Sequence, residues 1–282
     1  MNRCAIAAVA LAAGFGCATT GVAQAADLAE PAPAVEAAVP SLFDVAFGVA
    51  GVTDYRFRGV TNSKKDPAIQ GYVELQTDWL YAGVWSSSVN FPRPLSDPSA
   101  EIDLYGGLRH TWGAFTLDVG YLYYWYPGEA KAFNGVKIRE TDYWEIKALP
   151  SIAIGDLGSI TANIWWSSDY ANTGANELYL SIVPKVNIPV AAFPNLGFYV
   201  SGEFGKQWIK RTTDLNANYN PHDFLTWNVG GGVTYKAMTL DVRYVDTDLN
   251  KKECALNTGV RGWCGSTVVG KIAFDTSLNK LK

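Results

Sequence analysis

Histidine is nearly absent from this chain, with only His110 and His222 among 282 residues. Hydrolysis through a nucleophile and an imidazole base therefore has few routes, since His110 is expected in a turn and His222 in a loop, neither at a suggestive spacing from a serine. Cysteine is scarce too, with four. Cys4 and Cys17 fall in a leader segment, which leaves Cys254 and Cys264. In an exported protein, a bridge between these two is the plain reading, so no metal site and no cofactor are expected. A basic excess is also missing: 23 Lys and Arg stand against 27 Asp and Glu. That balance offers no patch for nucleic acid.

After the leader there is no apolar run of roughly 18 residues, the length a helix needs to cross a bilayer. The nearest candidate, Val186 to Gly202, is interrupted by Asn187, Pro189, Pro194 and Asn195, and reads as strand, turn, strand. The leader itself has Arg3 as a positive n-region, an apolar stretch from Ala5 to Ala13, and an A-x-A site at Ala23-Gln24-Ala25. Residues 1–25 are thus expected to be a signal peptide cleaved before Ala26, and its loss takes the formal charge from −4 to −5. A lipidation signal is excluded because Gly14-Phe15-Gly16 precedes Cys17 with no leucine. Residues 26–41 are rich in Ala, Pro and Glu, without periodicity, and are expected to form a disordered lead-in. Residues 42–282 remain for one folded unit.

What that unit does contain is alternation. Val45, Phe47, Val49, Thr53, Tyr55 and Phe57 share one phase, against small or charged Ala46, Gly48, Ala50, Asp54, Arg56 and Arg58. An apolar band with aromatic ends, backed by small and polar residues, suits a barrel strand facing lipid. The pattern recurs at 68–77, 80–91, 100–109, 115–126, 142–154, 159–170, 177–188, 196–209, 224–235, 238–247 and 267–275, with the first strand at 43–57. Strand 80–91 leaves its phase open, because Tyr81, Trp85 and Phe91 suit the outside as well as Leu80, Ala82 and Val84 do. The count is twelve, and the connections are mostly tight after even strands and longer and polar after odd ones. This predicts an all-β, antiparallel, up-and-down transmembrane barrel, with the long loops outside the cell. Neutral mean hydropathy fits alternating lipid-facing and water-facing residues. Pro150 and Pro184 fall inside strands, and are expected at bulges or beneath the membrane rim. Phe43, Phe115 and Phe198 are expected at the periplasmic rim. Tyr55, Phe57, Trp125, Trp166 and Trp208 are expected at the outer one.

The words T-D-Y-R-F-R-G at 53–59, D-P-A-I-Q-G at 66–71, Y-A-G-V-W-S-S-S-V-N-F at 81–91 and E-I-D-L-Y-G-G at 101–107 resemble the TorF-type porin family of proteobacterial outer membranes. The resemblance is strongest over residues 45–125. It implies an outer-membrane barrel with a transport role and brings no residue-level site.

The inward phase collects Asp54, Arg56, Arg58, Glu74, Glu101, Asp103, Arg109, Glu145, Lys147, Asp241 and Arg243 as candidates for lining or constricting a lumen. Asp118, Asp169, Lys185, Glu203 and Lys271 share that phase. Asp54, and acids on adjoining strands such as Glu74, are the expected partners of Arg56 and Arg58. The leading reading is passive diffusion of small hydrophilic solutes through a narrow charged channel. The lipid bilayer and, during biogenesis, the barrel-assembly machinery are its expected partners. A plugged structural or ligand-binding barrel is the alternative, because twelve strands lie between filled barrels of eight and open ones of sixteen. An adhesin is a further class. An outer-membrane hydrolase comes last, with Glu101 and Asp103 two apart on one face as its only suggestive pair.

Overall fold

The computed structural model of the chain describes residues 43–91, 97–129, 132–133, 136–137, 140–210 and 221–281. The leader and lead-in, 1–41, lie outside the described residues.

In chain order the strands are β1 (Asp44–Val52), β2 (Arg56–Phe57), β3 (Val60–Thr61), β4 (Ala68–Gln76), β5 (Leu80–Ser87), β6 (Glu101–Trp112), β7 (Phe115–Trp125), β8 (Ala132–Phe133) and β9 (Val136–Lys137). They continue with β10 (Tyr143–Ala153), β11 (Gly158–Tyr170), β12 (Ala175–Ile188), β13 (Gly197–Ile209), β14 (Phe224–Tyr235), β15 (Met238–Thr247) and β16 (Thr267–Ser277). Twelve of these close an antiparallel barrel, in which β1 pairs with β4 on one side and β16 on the other. Closure pairs every wall strand on both sides, which a sheet in lipid requires. The remaining strands form two separate two-stranded hairpins, β2–β3 and β8–β9.

Side chains follow the pleat. Ile69, Val73 and Leu75 of β4 are exposed outward, while Gln70 and Glu74 are buried inward. The same division runs round the wall, with Leu104, Val119, Ile146, Val229 and Val242 outside and Asp103, Asp118, Glu145, Asn228 and Asp241 inside. A continuous apolar exterior over a polar interior inverts the order of a water-soluble domain, and it is the surface of a membrane barrel. In β5 the open phase resolves with Leu80 and Val84 outward and Tyr81 and Trp85 inward.

The prolines do not sit at bulges. In the β10–β11 ladder, pairs run from Ala148↔Ile164 to Ser151↔Thr161 in constant register. The β12–β13 ladder likewise passes from Ile182↔Phe204 to Lys185↔Ser201. Each proline leaves a gap on one side, because it lacks an N–H, while the opposite neighbour still pairs it: Pro150↔Leu117 and Pro184↔Ile160. His110, expected in a turn, belongs to β6, where its ring stacks on Trp79 at 3.8 Å between centroids.

Connections at one end are mostly short, as at Gly113–Ala114 and Lys236–Ala237, and those at the other mostly long; residues 189–196 at the first end and 171–174 at the second are the exceptions. The loop after β15 carries a helix, α1 (Lys251–Thr258). Asn250 caps it by accepting from the backbone N–H groups of Lys252 and Glu253, and Glu253 bonds back to the Asn250 N–H. Gly259, left-handed at φ 77°, ends it. Cys254 and Cys264 are disulfide-bonded, with Cα atoms 5.7 Å apart, and fasten the helix to the following loop.

Candidate functional site: a lumen closed by a hairpin

The first strand ends earlier than its alternation suggests. At Thr53 the chain is still tied to β16, where Thr53 N donates to the Gly270 carbonyl and Gly270 N donates to Thr53 Oγ1, both 2.9 Å. It then leaves the wall and turns into the lumen. Arg56↔Thr61 and Phe57↔Val60 pair around a two-residue turn, with Arg58 at φ 48° and Gly59 at φ 84°. Positive φ at both central positions is the type I′ geometry that suits a tight hairpin. Glycine is required at the second: a Cβ on Gly59 would lie 2.5 Å from Thr226 Oγ1 of β14 and Thr247 Cγ2 of β15. The tip of the hairpin therefore abuts the wall.

Tyr55 and Phe57, expected at a lipid-facing rim, are inside. Tyr55 is fully buried, edge-on to Trp85, and Phe57 packs against Tyr124. The phase that reads as lipid-facing is instead apolar packing within the lumen, while the opposite phase makes the ionic contacts.

Asp54 holds the hairpin to itself. It accepts from Arg56 Nε and Thr61 Oγ1, each at 2.6 Å. Arg56 also donates through Nη1 to the carbonyls of Gly59 (2.9 Å), Trp263 and Gly265 (both 3.1 Å), which joins the hairpin to the disulfide loop. Arg58 reaches across the lumen. Its Nη2 donates to both oxygens of Glu145 on β10, at 2.9 and 3.0 Å, and its Nη1 pairs with Glu177 on β12. The guanidinium lies 4.5 Å from the ring centroids of both Phe57 and Tyr179. Tyr55 donates its hydroxyl to Glu101 of β6, and Tyr124 donates to Glu145 at 2.7 Å. Burial, and then the Glu101 and Asp103 carboxyls, hold the Tyr55 phenol well above its ordinary value, so it remains a donor. Glu74, expected near these arginines, pairs elsewhere.

Below the hairpin, two networks rooted in the wall project into the lumen. In one, Arg109 donates to Glu74 and Asp118, both at 3.0 Å, while Lys147 lies 3.4 Å from Asp118 and Tyr81 donates to it at 2.6 Å. In the other, Arg243 pairs with both oxygens of Asp241 at 2.8 Å and donates to Asn228 at 2.7 Å. Tyr199 donates to Asp241 and Tyr179 to Glu203.

All eleven charged residues singled out from the sequence are directed inward, and Arg109, the most accessible, keeps only 13 % side-chain exposure. Sequence reasoning missed Glu177, and with it the second half of the Arg58 clamp. It also missed the hairpin, although a first strand of fifteen residues exceeds the roughly ten that a tilted span needs. The two histidines lie far apart: His110 is at the turn end, and His222 is bonded to Asn257 beside α1. Among the described residues, no group of three or more His, Cys, Asp or Glu is placed to hold a metal ion.

Between the hairpin and α1 lies a cavity of about 500 Å³. Its floor includes Phe57 and Val60, and its roof runs from Ala255 to Gly259.

A family model described as "Bacterial protein of unknown function (Gcw_chp)" matches residues 36–274. No curated protein matches the sequence. Among solved structures, an outer membrane channel from Pseudomonas putida F1 is similar at 12% identity and TM-score 0.43, over 86% of this chain and 97% of that one. LpxR from Salmonella typhimurium is similar at 10% and 0.40, over 81% and 99%. A loop-deletion mutant of OmpT, an outer membrane protein of Vibrio cholerae, is similar at 12% and 0.41, over 83% and 98%.

Proposed function

Because this chain belongs to the Gcw_chp family, whose description assigns no activity, we propose its function from the lumen: it is an outer-membrane channel for small hydrophilic solutes, held shut by the hairpin between β1 and β4. One observation carries this reading. Beyond Thr53, the hairpin belongs to a sheet of its own and is clamped to the barrel wall by side chains, above all Arg58 on Glu145 and Glu177. Its main-chain bonds to the rest of the barrel go to the loops at Trp263 and Asn90. Lifting it breaks no wall ladder.

A charged inner wall supports hydrophilic solutes, since carboxylates and guanidinium groups replace part of a solute's hydration shell. The expected export leader and the apolar exterior support the outer membrane as its location, with lipid and the barrel-assembly machinery as partners. The likeness of the 45–125 segment to TorF-type porins supports transport as the role. Passive diffusion then proceeds only while the hairpin is unseated.

A second reading, a permanently plugged barrel that binds a ligand, is favoured by the cavity above the hairpin. Planar-bilayer recording separates the two. The wild type should be closed for most of the record, and Arg58→Ala should raise open probability at least tenfold. Silence of both proteins, with heat-modifiable gel mobility confirming folded barrels, would favour the permanent plug.

A further inference from the structure

From the side of the barrel, the Arg58 clamp is a guanidinium group lying in a cradle that the wall builds. Glu145 of β10 receives it through both oxygens, at 2.9 and 3.0 Å, and Glu177 of β12 accepts from Nη1. The Tyr179 ring centroid lies 4.5 Å from the guanidinium carbon. The Tyr124 hydroxyl donates to Glu145 Oε2 at 2.7 Å and fixes that carboxylate in place. This arrangement matches a planar cation. The fork of N–H groups meets carboxylate oxygens in pairs, and the flat face lies against an aromatic ring. An ammonium group, which has no plane and no fork, uses only part of it.

The charge around the cradle also favours a cation. Asp103 of β6 is fully buried with Glu101 and Glu145 as its charged neighbours, and neither of its oxygens is hydrogen-bonded. Glu101 accepts from Tyr55 and Asn62, which both belong to the segment between β1 and β4. These acids stand on β6, β10 and β12, within the run of neighbouring strands β6-β7-β10-β11-β12. Across the wall, the buried inward residues near the loop ends include Ser87 of β5, Gln207 of β13, Thr226 of β14 and Thr247 of β15, all neutral. Lys147, the next inward residue after Glu145 on β10, is directed to Asp118. Among the described residues, the cation paired with Glu145 and Glu177 comes from the hairpin. A lifted hairpin takes that cation away and leaves a one-sided arc of carboxylates, a surface that gathers positive solutes.

We propose that this cradle is a recognition site for cationic solutes that carry a guanidinium group, and that Arg58 occupies it as a tethered stand-in for the solute. A free guanidinium that takes Glu145 and Glu177 releases the tip of the hairpin. The release rests on the gating role proposed above, whereas the binding does not.

Methylguanidinium is the probe. Methylammonium is the cation without the fork, and N-methylurea is the uncharged isostere. Full-length Arg58→Ala in lipid nanodiscs should bind methylguanidinium calorimetrically at one saturable site per chain, at least tenfold more tightly than methylammonium. N-methylurea should give no measurable binding. The wild type, whose cradle is filled, should bind methylguanidinium at least tenfold more weakly than Arg58→Ala, and adding Glu145→Gln to Arg58→Ala should weaken it about tenfold. The wild type also gives a reading that needs no variant. Excess methylguanidinium should speed amide exchange over residues 54–61 and raise open probability in planar bilayers, while methylammonium at the same concentration does neither. Equal affinity of folded Arg58→Ala for the two cations, or no saturable binding, would overturn the ligand class. Binding undiminished by Glu145→Gln would overturn the location. If Arg58→Ala yields no folded barrel, the wild-type exchange comparison decides, and equal rates with both cations overturn the site. Selective binding with bilayers silent throughout would overturn the gate and leave the site standing.

Discussion

At mid-barrel and toward the turn end, Arg243 and Arg109 meet their carboxylates from the wall strands themselves. In the loop-end half, Arg58 meets Glu145 and Glu177 from a hairpin that belongs to no wall strand. Both halves bury charge almost completely and pair it through short, directed bonds, although Glu74 Oε2 in one and Glu177 Oε2 in the other make no hydrogen bond. They differ in what else must move when those bonds break. Displacing Arg243 means deforming β15, whose ladders to β14 and β16 close the barrel. Displacing Arg58 moves a short segment on two tethers. The same ion-pair chemistry therefore serves as wall reinforcement in one place and as a latch in the other, and connectivity decides which.

The contrast can be broken by experiment. Arg243→Ala takes from buried Asp241 its bidentate guanidinium partner, with the Tyr199 hydroxyl still donating to it, and should cost about 3–5 kcal/mol of unfolding free energy in urea titrations. Permeation should stay as in the wild type. A strong change in permeation with little loss of stability would erase the distinction between the halves. Cys254→Ser removes the clip behind the carbonyls of Trp263 and Gly265 that hold Arg56. In the simple loop model this gives up about 2–3 kcal/mol of unfolded-state restriction. The effect should appear as faster amide exchange over residues 250–264 and in the hairpin, with wall-strand protection retained. Tyr55→Phe is the gentlest test, because Asn62 still donates to Glu101. It should cost about 1 kcal/mol, the low end for a buried acceptor losing one donor, and should modestly increase hairpin exchange.

Most of the wall was legible in the sequence, because a lipid face and a polar lumen impose period two on every strand and turn residues mark the ends. The ranges 224–235 and 238–247 coincide with β14 and β15, and the inward phases of β4, β6, β7, β10 and β13 are as expected. Strand 80–91 stayed ambiguous since Tyr and Trp serve equally at a lipid rim and inside a filled lumen; Trp85 takes the second role. The hairpin failed for a related reason. Tyr55 and Phe57 continue the phase of Val45 and Val49, and alternation reports that two faces differ without saying what either one meets. The Arg-Gly pair at 58–59 and the excess length of the first strand were the available signals. Glu177 was beyond reach, because its partner lies 119 residues away and no periodicity links a hairpin to a strand across a lumen.

The most direct test of the account is liposome swelling with a barrel whose hairpin has been replaced by a short Gly-Ser turn joining Thr53 to Ala68. Every wall strand is retained, so folding can be checked by gel mobility and circular dichroism. The hairpin-less barrel should admit neutral sugars at rates that fall with solute size, while the wild type swells slowly if at all. A folded hairpin-less barrel as impermeable as the wild type would show that the wall-rooted networks close the lumen by themselves, and that the hairpin is not its gate.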